Sequence, residues 1–226
     1  MKQNQRRDFL KHVASGAAVL GAGLIANPFQ AAAGGLYEPG INEAEDWFKK
    51  INGKHRIVFD VTEPHNIFPF AWPRVFLLTN QKTGSAEKDC SVVVILRHNA
   101  IPYALQSNLW EKYKLGEVFK IDDPKTKSPA TRNAFWQPAV GDFKLPGLGN
   151  VPIGINELQA SGVMFGVCDA AMTVYSAAVA DAIHGDAVEI KNDWVNGLLP
   201  GIQSMPSGVW AVGRAQEHGC SYCFVG

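Results

Sequence analysis

Neither sign of charge predominates in this chain of 226 residues, where 21 basic side chains stand against 21 acidic ones. Nucleic-acid binders and polybasic membrane-surface proteins need a cationic excess, so both classes are disfavoured. Cysteine is scarce, with 4 in the whole chain, which is too few for a disulfide scaffold of this length. No apolar run reaches the roughly 20 residues of an obligate membrane span. There is no internal repeat and no low-complexity tract. What is present is ordinary globular material: 46% hydrophobic and 19% charged residues, enough apolar surface to offset chain entropy. The length fits one domain, or one domain with an appendage.

The N-terminus reads Arg6-Arg7-Asp8-Phe9-Leu10-Lys11, followed by an uncharged, Ala- and Gly-rich stretch from Val13 to Ala26. Small residues at Ala31 and Ala33 suit a signal-peptidase site. An amphipathic surface helix would interleave charges through such a stretch, and this one does not. The segment resembles a twin-arginine export signal, with Gln5 where Ser or Thr is usual. The resemblance implies a signal peptide over residues 1–33, handling by the twin-arginine translocase and a periplasmic location. Substrates of that route cross folded, often with a cofactor inserted. Removal of residues 1–33 takes away four basic side chains and one acidic, leaving a mildly acidic chain.

Residues 34–53 read as a linker with a short helix, since Glu43, Glu45 and Asp46 precede Lys49 and Lys50 as a helix dipole favours. Residues 54–226 then alternate strand and helix patterns. His55 to Thr62 forms a first strand, and Glu63-Pro64-His65-Asn66 ends it. A helix follows over Phe68 to Thr79, its start limited by Pro69 and Pro73. Ser91 to Leu96 is a continuous apolar run, the mark of a strand buried on both faces, and Arg97-His98-Asn99 closes it. Pro102 to Lys114 reads as a helix. The stretch 116–149 is rich in Pro and Gly and reads as an insertion, with one or two helical turns near Thr131 to Trp136.

Ile153 to Ala160 is a short helix, and Val163 to Cys168 a third strand. Asp169 is placed to cap the helix that runs on to Ile183. Asp193-Trp194 begins a connector. Gly201 to Met205 forms a fourth strand, Pro206-Ser207 opens a helix to His218, and Cys220 to Val225 forms a fifth strand. Alternation of this kind predicts a three-layer α/β/α fold around a five-stranded parallel sheet, with its ligand sites beyond the carboxyl ends of the strands.

At those ends stand His65, His98 and Cys168. If the three strands are neighbours, two imidazoles and a thiol share one rim. The helix that starts at Asp169 favours the Cys168 thiolate, whereas the Asp169 charge opposes it. The histidines can set protonation there. Cys168 is otherwise a small buried hydrophobe, and His65 and His98 are otherwise loop or surface residues. Cys90 lies at the opposite rim. Cys220 and Cys223, spaced along an extended strand, are too far apart to bridge and read as core thiols.

The segments Gly162 to Ala170, Leu198 to Val209 and Gln216 to Tyr222 resemble the DsrE/DsrF-like family of sulfur-relay proteins. The likeness runs from about Lys54 to Gly226, interrupted by the insertion. It implies a five-stranded parallel sheet, assembly as a homo-oligomer, and a persulfide on a strand-end cysteine, a role that falls to Cys168. The expected function is that of a sulfur carrier or sulfurtransferase-like protein, acting with a small sulfur compound or a relay partner and needing no cofactor. Two other readings stand beside it. His65, His98 and Cys168 suit copper or zinc. A non-catalytic, oligomeric module would hold a small ligand on Phe68, Phe70 and Trp72.

Overall fold

The computed structural model describes residues 41–145, 147 and 149–226. The export segment over 1–33 lies outside the described residues, as does the first part of the linker.

The architecture is α/β: a five-stranded, wholly parallel sheet flanked by helices. In chain order the elements are α1 (Ile41–Phe48), β1 (His55–Val61), α2 (Phe68–Lys82), β2 (Cys90–Leu96), α3 (Ser107–Lys112) and α4 (Leu115–Val118). A two-stranded ribbon, β3 (Lys144–Leu145) with β4 (Gly149–Asn150), precedes α5 (Ile155–Ala160). Then come β5 (Met164–Cys168), α6 (Asp169–Ile183), α7 (Ala187–Asn196), β6 (Ile202–Met205), α8 (Gly208–Glu217) and β7 (Ser221–Val225). The sheet order is β6-β5-β2-β1-β7. The three strands that end near His65, His98 and Cys168 are therefore neighbours.

The apolar run of β2 is divided between two cores by the two-residue period of a strand. Val92, Val94 and Leu96 join Phe59, Val61, Phe165 and Val167 under α2 to α7. Val93 and Ile95 join Val58 and Met205 under α1 and α8. Among the described residues, one face thus carries most of the helices, and the other carries α1 and α8.

Local chemistry sets the helix ends. Pro69 fits the first turn of α2, where its missing N–H costs nothing, while Pro73 stays inside the helix. Ser207 caps α8 by accepting a hydrogen bond from the Trp210 N–H at 3.2 Å. Asp186 caps α7 in the same way, accepting from Val188 and Glu189 at 2.7 and 2.9 Å. Helix α7 replaces the expected connector at Asp193-Trp194: Trp194 and Ile190 are buried against the core, and the cap at Asp186 starts the helix seven residues earlier.

Two further expectations are corrected. Pro102 to Lys114 is not one helix, because a 3-10 segment over His98–Ala104 comes first and α3 starts only at Ser107. Thr131 to Trp136 forms no helix, only a single hydrogen-bonded turn in which the Trp136 N–H donates to the Asn133 carbonyl at 3.2 Å. That stretch is held instead by side chains. Buried Asn133 donates to the carbonyls of Tyr103 and Leu105 at 2.8 and 3.0 Å. Phe135 packs between Phe70 and Phe143, with ring centroids 4.4 and 4.8 Å away. The insertion is part of the main core, so burial of its aromatics offsets the entropy of ordering an irregular chain.

Candidate functional site

The connections that leave β5 and β6 diverge. Strand β5 runs into α6 on the thick face, and β6 runs into α8 on the thin face. Between two adjacent strands with opposite exits a crevice opens at the carboxyl edge, the usual ligand position in open α/β sheets. Cys168 and Met205 are paired there, at the ends of the two strands.

Cys168 itself caps α6. Its sulfur accepts a hydrogen bond from the Ala171 N–H at 3.2 Å. The Gly208 N–H, at the start of α8, also faces the sulfur. Two helix N-termini therefore meet at one atom. Asp169 is not the cap expected from its position. Its carboxylate pairs with Lys191 Nζ of α7 at 2.8 Å, and both side chains are nearly enclosed. Lys191 offsets the anion that would otherwise stand bare beside the thiol.

The sulfur is 6% exposed with its residue, and burial is the largest influence on it. Burial pushes the Cys168 thiol above the ordinary range; the Ala171 and Gly208 N–H groups pull it back, Asp169 pushes it up, and Arg97 pulls it down. The expected depression by the helix start is present but outweighed by desolvation. At rest the group is a protonated thiol.

The cation beside it is Arg97, not a histidine. Leu96 pairs with Val167, so the next residues in step are Arg97 and Cys168. Gly208 at the start of α8 stands against the Arg97 stem, and its N–H faces the Cys168 sulfur, so the two side chains approach each other there. His98, one residue further on, has a left-handed backbone with φ 53°. Its Nδ1 lies 3.2 Å from a Glu63 carboxylate oxygen and its ring meets Tyr175 edge-on. His65 packs edge-on against Phe68. Neither imidazole hydrogen-bonds to the sulfur or shifts its protonation among the described residues. The structure thus places all three sequence candidates on one rim without joining the histidines to the thiol.

Several rim residues stand outside the three sequence candidates. Arg97 forms a fork with Asp60 of β1, from Nε at 2.6 Å and Nη2 at 2.8 Å. The Tyr222 hydroxyl of β7 donates to the same carboxylate at 2.8 Å. Asn99 donates to both Glu63 oxygens at 3.0 and 2.9 Å and accepts from the Tyr175 hydroxyl at 2.6 Å. Burial, with Glu63 nearby, pushes the Tyr175 phenol up to about 12. An Asp in the middle of an apolar strand, with an Arg just after its neighbour, is the pattern that could have disclosed the first of these networks.

The two other readings fare differently in geometry. Among the described residues no group of three or more His, Cys, Asp and Glu side chains is arranged to hold a metal ion, so His65, His98 and Cys168 form no copper or zinc cage. Phe70 is fully buried in the core and is no rim aromatic, whereas Phe68 and Trp72 are half-buried and pack at a tilt of 43° with centroids 5.3 Å apart. A cleft of about 440 Å³ lined by Lys112, Tyr113, Ile190 and Asp193 includes none of the rim residues. The rim is singled out by its chemistry, not by its volume.

No family model, curated protein or solved structure matches the chain. The class defined by the coordinates is an α/β protein with a five-stranded parallel sheet and a thiol at its switch point.

Proposed function

We propose that the protein is exported by the twin-arginine route and handles sulfane sulfur in the periplasm, as a homo-oligomer similar to the DsrE/DsrF-like proteins. The export part rests on Arg6-Arg7-Asp8-Phe9-Leu10-Lys11 and the uncharged stretch behind it. The family part rests on Gly162 to Ala170 and Leu198 to Val209, which include both ends of the crevice. The observation that carries the chemistry is the position of Cys168, whose sulfur faces backbone N–H groups at the starts of α6 and α8 with Arg97 close by.

In this reading the Cys168 thiol loses its proton to solvent, and the thiolate attacks the sulfane sulfur of a donor. A new S–S bond forms, the donor's own S–S bond breaks, and the donor remainder leaves with the electron pair. Cys168 keeps one extra sulfur. A persulfide is a stronger acid than its parent thiol, so negative charge appears on the outer sulfur only after loading. The N–H groups and the guanidinium are then in place to receive it, which suits a carrier that is neutral when empty.

The test is intact-protein mass after exposure to polysulfide. The wild type is expected to gain one sulfur, mapped to Cys168, and Cys168→Ser to gain none there. A wild type that gains nothing, or an equal gain in Cys168→Ser, would overturn the proposal.

A further inference from the structure

We infer that the Cys168 rim is an anion-receiving site in which Arg97 binds the charged part of the donor, so that the substrates are small anions carrying sulfane sulfur, with thiosulfate the simplest of them. The inference deepens the sulfur-handling reading and rests on it for the donor's identity, but not for the anion preference.

Three observations carry it. First, Arg97 and Cys168 are the residues that follow the last register pair of β2 and β5, Leu96 with Val167, so both stand at the same level of the carboxyl edge. Second, the guanidinium is held rather than free: Asp60 takes Nε and Nη2, and Tyr222 fixes the carboxylate from the other strand. Among the described residues Nη1 donates to no protein group, and the side chain is 27% exposed against 3% for Asp60. The carboxylate is spent inward, and an uncommitted donor edge remains. Third, position 208 carries no side chain. A Cβ there would stand 2.5 Å from Arg97 Cβ and 2.7 Å from its Cδ, so only glycine lets the Arg97 stem lie against the start of α8. The cation is thereby seated where the α8 N-terminus and the sulfur meet. Arg97 and Cys168 are close enough for each to influence the other's charge.

With thiosulfate the step balances without an added oxidant or reductant. The Cys168 thiolate attacks the outer sulfur, the bond between the two thiosulfate sulfurs breaks, and sulfite leaves with its electron pair. The product is the Cys168 persulfide anion. Arg97 and the Gly208 N–H are placed to hold the sulfonate oxygens as charge moves onto the leaving group.

The first experiment needs no sulfur transfer. Alkylation at the Cys168 peptide is followed with anionic iodoacetate and neutral iodoacetamide, at one ionic strength. Arg97→Gln is expected to lower the ratio of the two rates by roughly tenfold, the loss of one charge-assisted hydrogen bond, with Arg97→Lys recovering part of it. Because loss of Arg97 leaves buried Asp60 without a cation and can cost the fold, wild-type protein is also titrated with sulfate, which is expected to slow iodoacetate competitively. An unchanged ratio in folded variants, or no protection by sulfate, overturns the inference. The second experiment measures sulfite released from thiosulfate. Anion preference without sulfite release leaves the anion site standing but removes thiosulfate as the donor. Loading from polysulfide without any anion preference overturns the anion site while the carrier reading stands.

Discussion

Replacing Lys191 by Met tests the electrostatic frame of the rim. Lys191 and Asp169 form an ion pair at 2.8 Å whose side chains are 6% and 14% exposed. Asp169 Oδ1 has no hydrogen-bond partner among the described residues, so Lys191 supplies the one strong contact that this carboxylate has. Met keeps the length of the side chain and removes the charge. An uncompensated buried carboxylate then remains, at a cost of about 3–5 kcal/mol. For a chain of this size that is on the order of 10 °C in Tm. Asp169 already raises the proton affinity of Cys168. Without Lys191 that push grows, and alkylation of Cys168 at neutral pH slows further. The double variant Lys191→Met with Asp169→Leu removes both charges, and it is expected to regain most of the stability and to react faster at Cys168 than the single variant. Urea unfolding followed by tryptophan fluorescence, together with alkylation rates, measures both effects. If Lys191→Met unfolds within about 1 kcal/mol of wild type, as an exposed pair would, or if the double variant is no better than the single, the reasoning is wrong.

Three other outcomes are expected. Alkylation of Cys168 by iodoacetamide should climb about tenfold per pH unit and show no plateau until beyond the ordinary thiol value of 9.0, because burial raises the group above it; a plateau near pH 7 would contradict this. Burial pushes the Cys220 thiol from 9.0 up to about 11, so the unfolded chain releases this proton first. Its contribution to stability is therefore complete below pH 9 and declines as pH rises toward 11, by on the order of 2 kcal/mol, and urea titrations across that range should show a shallower decline in Cys220→Ala. Gly208→Ala should cost about 1–3 kcal/mol, since the new methyl would meet Arg97 Cβ at 2.5 Å; calorimetry reads that loss, and a neutral result would mean that α8 and Arg97 are not packed as described.

The pattern of apolar residues determined the sheet. The run Ser91 to Leu96 reads as a buried strand because both its faces are covered, and β2 occupies the centre of the sheet. Four other strands and most helices lie where the alternation puts them, since period and turn chemistry are local properties. Helix α7 was hidden because its buried face is short and its cap, Asp186, sits in a polar stretch. The irregular chain between α4 and β3 was legible only as a break in pattern. What orders it is a set of contacts with residues far away in sequence, Asn133 with Tyr103 and Phe135 with Phe70 among them.

The candidate site divides in the same way. That Cys168 ends a strand and begins a helix could be read from residues on either side of it, and so could the strand-end places of His65 and His98, but that the three strands are neighbours came only from the sheet order. Which side chain faces the sulfur could not. The chain leaves the extended conformation at His98, which turns to Glu63, while the Arg97 stem lies against Gly208 beside the sulfur, and those contacts join residues far apart in sequence. Desolvation of the thiol likewise depends on everything packed around it, so local sequence could supply the helix starts that favour the thiolate but not the burial that outweighs them.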